Sequence, residues 1–177
     1  YAPSISGNDE NVVVHVAVEN APTTVAGELF SCTGYTFAGW NTADDGNGTA
    51  YRPGDTINKA DTMTLHAQWT LNAPVVSTNG PISKTYDGNG VTLNVVATHE
   101  LTDLTYTYQW KKAEENIEGA TNSDYALTGN VSDSGTYTCV VTAADSGSRT
   151  ASAEVTINVT ITNAAIPGIT VLGYTGD

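Results

Sequence analysis

Positive charge is scarce in this chain. Six of its 177 residues are Lys or Arg, against nineteen Asp and Glu and three His, for a formal net charge of −13. The bases are also scattered: residues 1 to 70 hold eight acids against Arg52 and Lys59, and residues 71 to 177 hold eleven acids against four bases. Nucleic acid and anionic lipid are recognised by clustered Lys and Arg that displace counterions, so neither is an expected partner. Charged residues of both signs make up only 14% of the chain. About a quarter is usual for soluble proteins. Thr, Asn, Ser and Gly must therefore supply the polar surface, a chemistry suited to exposed strand faces and turns.

Cysteine is equally sparse. Cys32 and Cys139 are the only two, which is neither a dense disulfide framework nor a paired Cys-x-x-Cys metal or redox motif, so the fold is not expected to depend on a disulfide. No apolar run approaches the roughly 20 residues needed to cross a bilayer, and the opening Tyr1 to Gly7 is not a signal peptide. The expectation is a soluble segment with no membrane insertion of its own, monomeric within a longer multi-module chain whose targeting signals lie elsewhere. Long helical periodicity is missing, as are a Gly-x-Ser-x-Gly elbow, a phosphate-binding Gly-Lys-Ser/Thr loop and a second His after His99-Glu100, which sets those enzyme classes aside.

What is present is strand alternation. Apolar residues recur at every second position in four sets: Met63, Leu65, Ala67 and Trp69; Val91, Leu93, Val95 and Ala97; Leu104, Tyr106, Tyr108 and Trp110; Val155, Ile157, Val159 and Ile161. Each set predicts a half-buried strand with one face on a core. Between them lie Asp44 to Gly48, Arg52 to Asp55 and Asp87 to Gly90, whose Gly, Asn and Pro residues suit turns. The fold class read from this is mainly β. Pro74, just after the strand ending at Trp69, marks a boundary near residue 71; a second follows the Val155 to Ile161 strand. The expected division is residues 1–70, residues 71–162, and a tail of 163–177 that is a linker or the start of a further truncated repeat.

The stretch Gly34-Tyr35-Thr36-Phe37-Ala38-Gly39-Trp40, the Gly48 to Thr56 segment and the closing Met63 to Trp69, which ends in Ala67-Gln68-Trp69, resemble the Listeria/Bacteroides repeat, the internalin B-repeat family. That resemblance implies a small ubiquitin-like β-grasp module, found in tandem on bacterial surface proteins as a spacer or a contact surface. The family's usual Gly-rich lead-in is not evident before Val12 to Val18. Tyr35, Phe37, Trp40, Tyr51 and Trp69 are read as core, since each buried aromatic removes about 150 to 250 Å² from water; the competing reading is a sugar-stacking platform.

In the second module Trp110 lies mid-strand and Asp133-Ser134-Gly135-Thr136-Tyr137-Thr138-Cys139 follows, which resembles the immunoglobulin superfamily. The resemblance implies a β-sandwich in which Trp110 packs the core and Tyr137 occupies the tyrosine-corner position. The first Cys of that pattern is missing: Val95 is the inward-facing residue where it would stand, so the intersheet disulfide should be absent and Cys139 should act as a small buried hydrophobe.

Candidate chemistry is thin. His15 and His66 fall out of phase with the apolar sets and His99 at a strand end, all three read as solvent-facing. The pairs Asp44 with Asp45 and Glu114 with Glu115 are adjacent in turn-like sequence rather than aimed at one pocket. The Asp44 to Asn47 turn offers oxygen ligands but no EF-hand loop, so at most a weak calcium site. Lys84 or Lys111 is a candidate for an intramolecular isopeptide bond. No catalytic, cofactor-binding or metal-ligating residue is expected and no cofactor. The expected role is that of a non-enzymatic adhesin or stalk segment at the bacterial cell surface, extracellular, with a host or matrix protein or glycan as partner. The alternative is an accessory segment of a large secreted glycoside hydrolase or peptidase.

Overall fold

A computed structural model describes residues 4–6, 13–16, 23–27, 31–57 and 63–164. Most of the expected 163–177 tail lies outside these residues, as does the side chain of His15. Among the described residues the fold is β throughout, with a single 3-10 turn at Val131–Asp133. The chain packs as two compact units. One takes the chain up to Val75 together with Thr98–Tyr106 and Thr142–Ser152; the other takes Val76–Ala97, Thr107–Val141 and the chain from Ala153 onward.

The N-terminal strands are β1 (Ser4–Ser6), β2 (Val13–Val16), β3 (Thr23–Thr24), β4 (Tyr35–Asn41), β5 (Ala50–Tyr51), β6 (Thr56–Ile57) and β7 (Met63–Leu71). Five of them form one sheet in the order β1-β2-β7-β4-β5, antiparallel at every pairing, so the closing strand β7 lies at its centre. Strict alternation in β7 buries Met63, Leu65, Trp69 and Leu71, with Ala67 half-buried among them. Strand β4 breaks alternation. Its register against β7 slips between Phe37 and Gly39, a bulge that leaves Ala38 unpaired, and Gly39 takes a φ of 132°. The extra residue returns Trp40 to the core side already held by Phe37. Phe37 then stands edge-on between Trp40 and Trp69, with ring centroids at 5.3 and 5.4 Å. The aromatic set is therefore core, as expected, and not an exposed platform.

The later strands are β8 (Val75–Thr78), β9 (Ile82–Thr85), β10 (Val91–Thr98), β11 (Thr105–Lys112), β12 (Glu115–Asn116), β13 (Asp124–Leu127), β14 (Gly135–Ala144) and β15 (Thr150–Thr162). They form a three-stranded sheet, β13-β10-β8, and a five-stranded one, β12-β11-β14-β15-β9. With β8, β10 and β13 in the places of strands A, B and E, and β11, β14 and β15 in those of C, F and G, the order is that of an immunoglobulin sandwich. The chain changes sheet between β8 and β9 at Gly80-Pro81, a cis peptide, and β9 then runs parallel to β15. Glycine is required at the crossing: a Cβ on Gly80 would lie 2.6 Å from Ile157 Cγ2.

Leu93, Val95, Trp110, Tyr137, Cys139, Val141 and Ile157 are each at most 2% exposed. Tyr125 of β13 links the sheets, its ring 6.0 Å from Trp110 and 6.1 Å from Tyr137. The Trp110 indole N–H donates to the Asn122 carbonyl at 2.9 Å, so the largest core side chain leaves no polar atom unmet. The tyrosine corner is formed: the Tyr137 hydroxyl donates to the Asp133 carbonyl at 2.9 Å. Asp133 Oδ2 in turn accepts from the Thr128 hydroxyl at 2.6 Å and from the Gly129 and Asn130 amides. The Thr128 bond foremost, helped by those amides, holds the Asp133 carboxyl below its ordinary range despite partial desolvation. Cys139 and Cys32 are both buried thiols, and burial pushes the Cys139 pKa up to about 11. Val95 and Cys139 thus fill the usual disulfide position by packing alone.

Two substitutions separate packing from the corner hydrogen bond. Trp110→Ala is expected to cost about 3 to 5 kcal/mol as a large-to-small core change. Tyr137→Phe keeps the ring and strands the Asp133 carbonyl, and should cost about 1 to 2 kcal/mol. Denaturant unfolding reads both; a neutral Tyr137→Phe would show the corner bond to be idle.

Candidate binding cleft

The unit that holds Tyr1–Val75 completes its core with sequence-distant segments. Cys32, Tyr35, Trp69 and Leu71 pack with Ala143 in one buried cluster, and Leu101, Leu104, Tyr106 and Ala151 border it. A second cluster, Val25, Trp40, Ile57, Met63 and Leu65, fills the rest. Strand parity explains the first: Tyr35 pairs with Leu71 and Phe37 with Trp69, so one face of β4 and β7 presents a continuous apolar strip.

A polar hub sits beside that strip. The Tyr35 hydroxyl donates to Asp145 Oδ2 at 2.8 Å, and the same oxygen accepts from Arg149 Nε at 2.7 Å, while the Arg149 amide donates to Asp145 Oδ1 at 2.8 Å. The guanidinium carbon lies 4.5 Å from the centre of the Tyr35 ring, a cation–π stack. The Asp145 side chain is 6% exposed. Burial opposes its charge, but the Tyr35 hydroxyl, the Arg149 N–H groups and the guanidinium charge outweigh that cost and hold the carboxyl below its ordinary range. Nearby, Glu100 Oε2 accepts from the Gly34 amide at 3.1 Å.

Next to the hub is a cleft of about 520 Å³, with Asp44, Asp45, Gln68, Trp69, Gly147 and Arg149 on its walls. The Asp44 to Gly48 turn is built by buried Asn41, whose Nδ2 donates to the Gly46 carbonyl and whose Oδ1 accepts from the Ala43 amide, both at 2.9 Å. Asp45 accepts from the Asn47 amide and from its side chain, bonds that lower its pKa. The Gln68 amide nitrogen reaches the Asp44 and His66 carbonyls only at 3.5 Å. The Trp69 indole nitrogen is enclosed, in a residue 7% exposed, with no hydrogen-bond partner.

His66 and His99 differ from the expectation of solvent-facing residues. His66 does point away from the apolar strip, as its phase requires, but the turn after β4 covers that face: the side chain is 23% exposed, its Nδ1 is enclosed without a hydrogen bond, and Asp44 Oδ1 lies 3.6 Å away. His99 is half-buried and fastens main chain, with Nδ1 accepting from the Leu101 amide at 3.0 Å, which leaves Nε2 as the donor to the Asn72 carbonyl at 3.1 Å. Glu114 lies in the two-residue turn joining β11 to β12, where Ala113 and Glu114 have φ of 49° and 69°, and Glu115 opens β12. Lys84 faces Asp87 at 2.8 Å and the Asn89 and Gly90 carbonyls; its bond to Asp87 is the main reason that carboxyl falls to about 2. Lys111 lies 3.8 Å from Glu154. Among the described residues no group of three or more His, Cys, Asp or Glu is placed to hold a metal ion.

The hub, which the sequence reading missed because two of its members lie on one hairpin turn and the third on a strand 110 residues away, has a defined pH signature. A carboxyl whose folded pKa is depressed binds fewer protons folded than unfolded, so its stabilisation is present above the unfolded value of 3.8 and is lost as pH falls through the folded value. Asp145→Asn should therefore cost about 2 kcal/mol near pH 7, with the gap to the parent chain flat above about pH 5 and closing below it. Urea unfolding across pH 2.5 to 7 measures this; a gap independent of pH would assign the loss to packing.

Two family models match along the chain: the Listeria-Bacteroides repeat domain over residues 6–68 and the MBG domain over residues 73–171. A curated relative described as a putative membrane protein of Evansella cellulosilytica is 30% identical over 142 residues, which are 75% of this chain and 21% of that protein. A putative Gly-rich membrane protein of the same organism is 53% identical over 45 residues, 25% of this chain and 5% of its own length. The chain thus spans about a fifth or less of these relatives. Among solved structures, the three N-terminal domains of the bacteriophage RB49 highly immunogenic outer capsid protein align over 90% of this chain and 59% of theirs at 15% identity and a TM-score of 0.41. The Clostridium thermocellum CbhA fibronectin(III)-like modules align over 92% and 95% at 12% identity and a TM-score of 0.33. Those scores are low, and the sandwich stands on the strand pairings of the chain itself. Through residues 73–171 the chain belongs to the MBG domain family, an immunoglobulin-like module, here preceded by a Listeria-Bacteroides repeat domain.

Proposed function

We propose that the chain is a non-catalytic segment of a bacterial cell-surface protein, divided near residue 71 into a repeat module and a sandwich, which spaces or forms a binding surface for a protein or glycan outside the cell. The observation that carries this reading is the succession of two extracellular module types with only Trp69 to Asn72 between their matched ranges. The side chains support it. Asp133 and Asp145 are committed to holding turns and His99 to holding main chain. Catalysis by acid, base or nucleophile needs such groups converging on a pocket with tuned titration.

The experiment is a binding screen of the intact chain on glycan and matrix-protein arrays, run beside ester, glycoside and casein substrates. Saturable retention of at least one ligand with every substrate left intact is expected. Turnover that disappears on substituting a single titratable residue would contradict the non-catalytic reading.

A further inference from the structure

The cleft beside Trp69 carries more than a place for water. Its walls offer acceptors and donors side by side. Asp44 and Asp45 supply carboxylates, Gln68 an amide and Arg149 a guanidinium, and Trp69 lines the cleft with them. Arg149 spends its Nε on Asp145, which leaves the Nη atoms available to a ligand, and Gln68 holds its protein partners only at 3.5 Å. The Trp69 indole nitrogen is itself enclosed, so the open donors and acceptors of the cleft are those of Arg149, Gln68 and the two carboxylates.

Electrostatics narrows the ligand. An anion meets Asp44 and Asp45 and a net charge of −13. A cation meets Arg149 and leaves its guanidinium N–H groups unanswered. A neutral hydroxyl donates and accepts at one atom, so adjacent hydroxyls satisfy a carboxylate on one side and an N–H on the other. The volume, about 520 Å³, lies within the range of small-molecule clefts.

We propose that this cleft binds one or two residues of a neutral sugar, with Asp44 and Gln68 accepting from its hydroxyls and Arg149 donating to them, beside the wall that Trp69 forms. The proposal rests on the reading of the chain as a binding segment and names the site and ligand class within it.

The test is a titration of the intact, isotope-labelled chain with cellobiose, lactose and N,N′-diacetylchitobiose, followed at the Trp69 indole and Gln68 amide resonances, with arginine amide and acetate as charged controls. Sugar is carried to about 20 mM, well above the ~1 mM dissociation constant expected of a shallow polar site. A saturable shift of both resonances with at least one sugar is expected, weakened about tenfold by Gln68→Ala and by Asp44→Ala, a loss on the scale of one hydrogen bond. Both variants change exposed or half-buried side chains and should keep the parent spectrum elsewhere. Silence at Trp69 with all three sugars, or a response to arginine amide or acetate alone, overturns the proposal. Saturable sugar binding mapped away from Trp69 also overturns it, while leaving the binding-segment reading intact. Cleavage of the sugar during the titration would overturn that reading instead.

Discussion

Asp145 is the constraint around which the first compact unit is organised. It is a nearly enclosed carboxylate on a hairpin turn, and an enclosed carboxylate is tolerated only when its lone pairs are met. Tyr35 and Arg149 meet them, and in doing so fix the turn between β14 and β15 beside strand β4. With that turn in place, Ala143 and Ala151 join Tyr35, Trp69 and Leu71 in one apolar cluster. The cleft follows, because Gly147 and Arg149 of the same turn form one wall and the Asp44 to Gly48 turn with Gln68 and Trp69 forms the other. Charge, core and cleft in this unit therefore share a single set of contacts.

The sandwich was the most legible part of the chain. Period-two alternation marked Leu93, Val95, Trp110, Ile157 and Val159 as core, a local feature that a strand read by itself reveals. The corner bond that Tyr137 makes was implied instead by the resemblance that Asp133 to Cys139 carry. The bulge at Ala38 was not legible: alternation from Tyr35 and Phe37 sends Trp40 to the opposite face, and only the register against β7 restores it. His66 was assigned the right face and the wrong environment, since whether a face meets water depends on the loop that folds over it. Least legible was the hub. Tyr35 and Asp145 are 110 residues apart, and nothing in either neighbourhood signals the other.

The same distinction separates what the two module types share with their relatives from what is particular here. The aromatic strip and the corner belong to the patterns by which the modules resemble their families. The donors and acceptors of the cleft come from turns, where length and composition vary without disturbing a sheet. A role in contact or spacing at a cell surface suits such an arrangement, because turns held by a rigid strand scaffold present polar groups in a fixed geometry at little cost to the fold.

Thr98–Tyr106 and Thr142–Ser152 belong to one compact body with β4 and β7, and that body should open cooperatively. Native-state hydrogen exchange on the intact chain tests it most directly, comparing the parent with Tyr35→Phe. Amides of the Ala143 to Ala151 hairpin should open with the same free energy as those of β4 and β7, and all of them should lose protection together in the variant, while amides of Thr107–Val141 keep theirs. Hairpin amides that exchange with Thr107–Val141 and ignore Tyr35→Phe would contradict it.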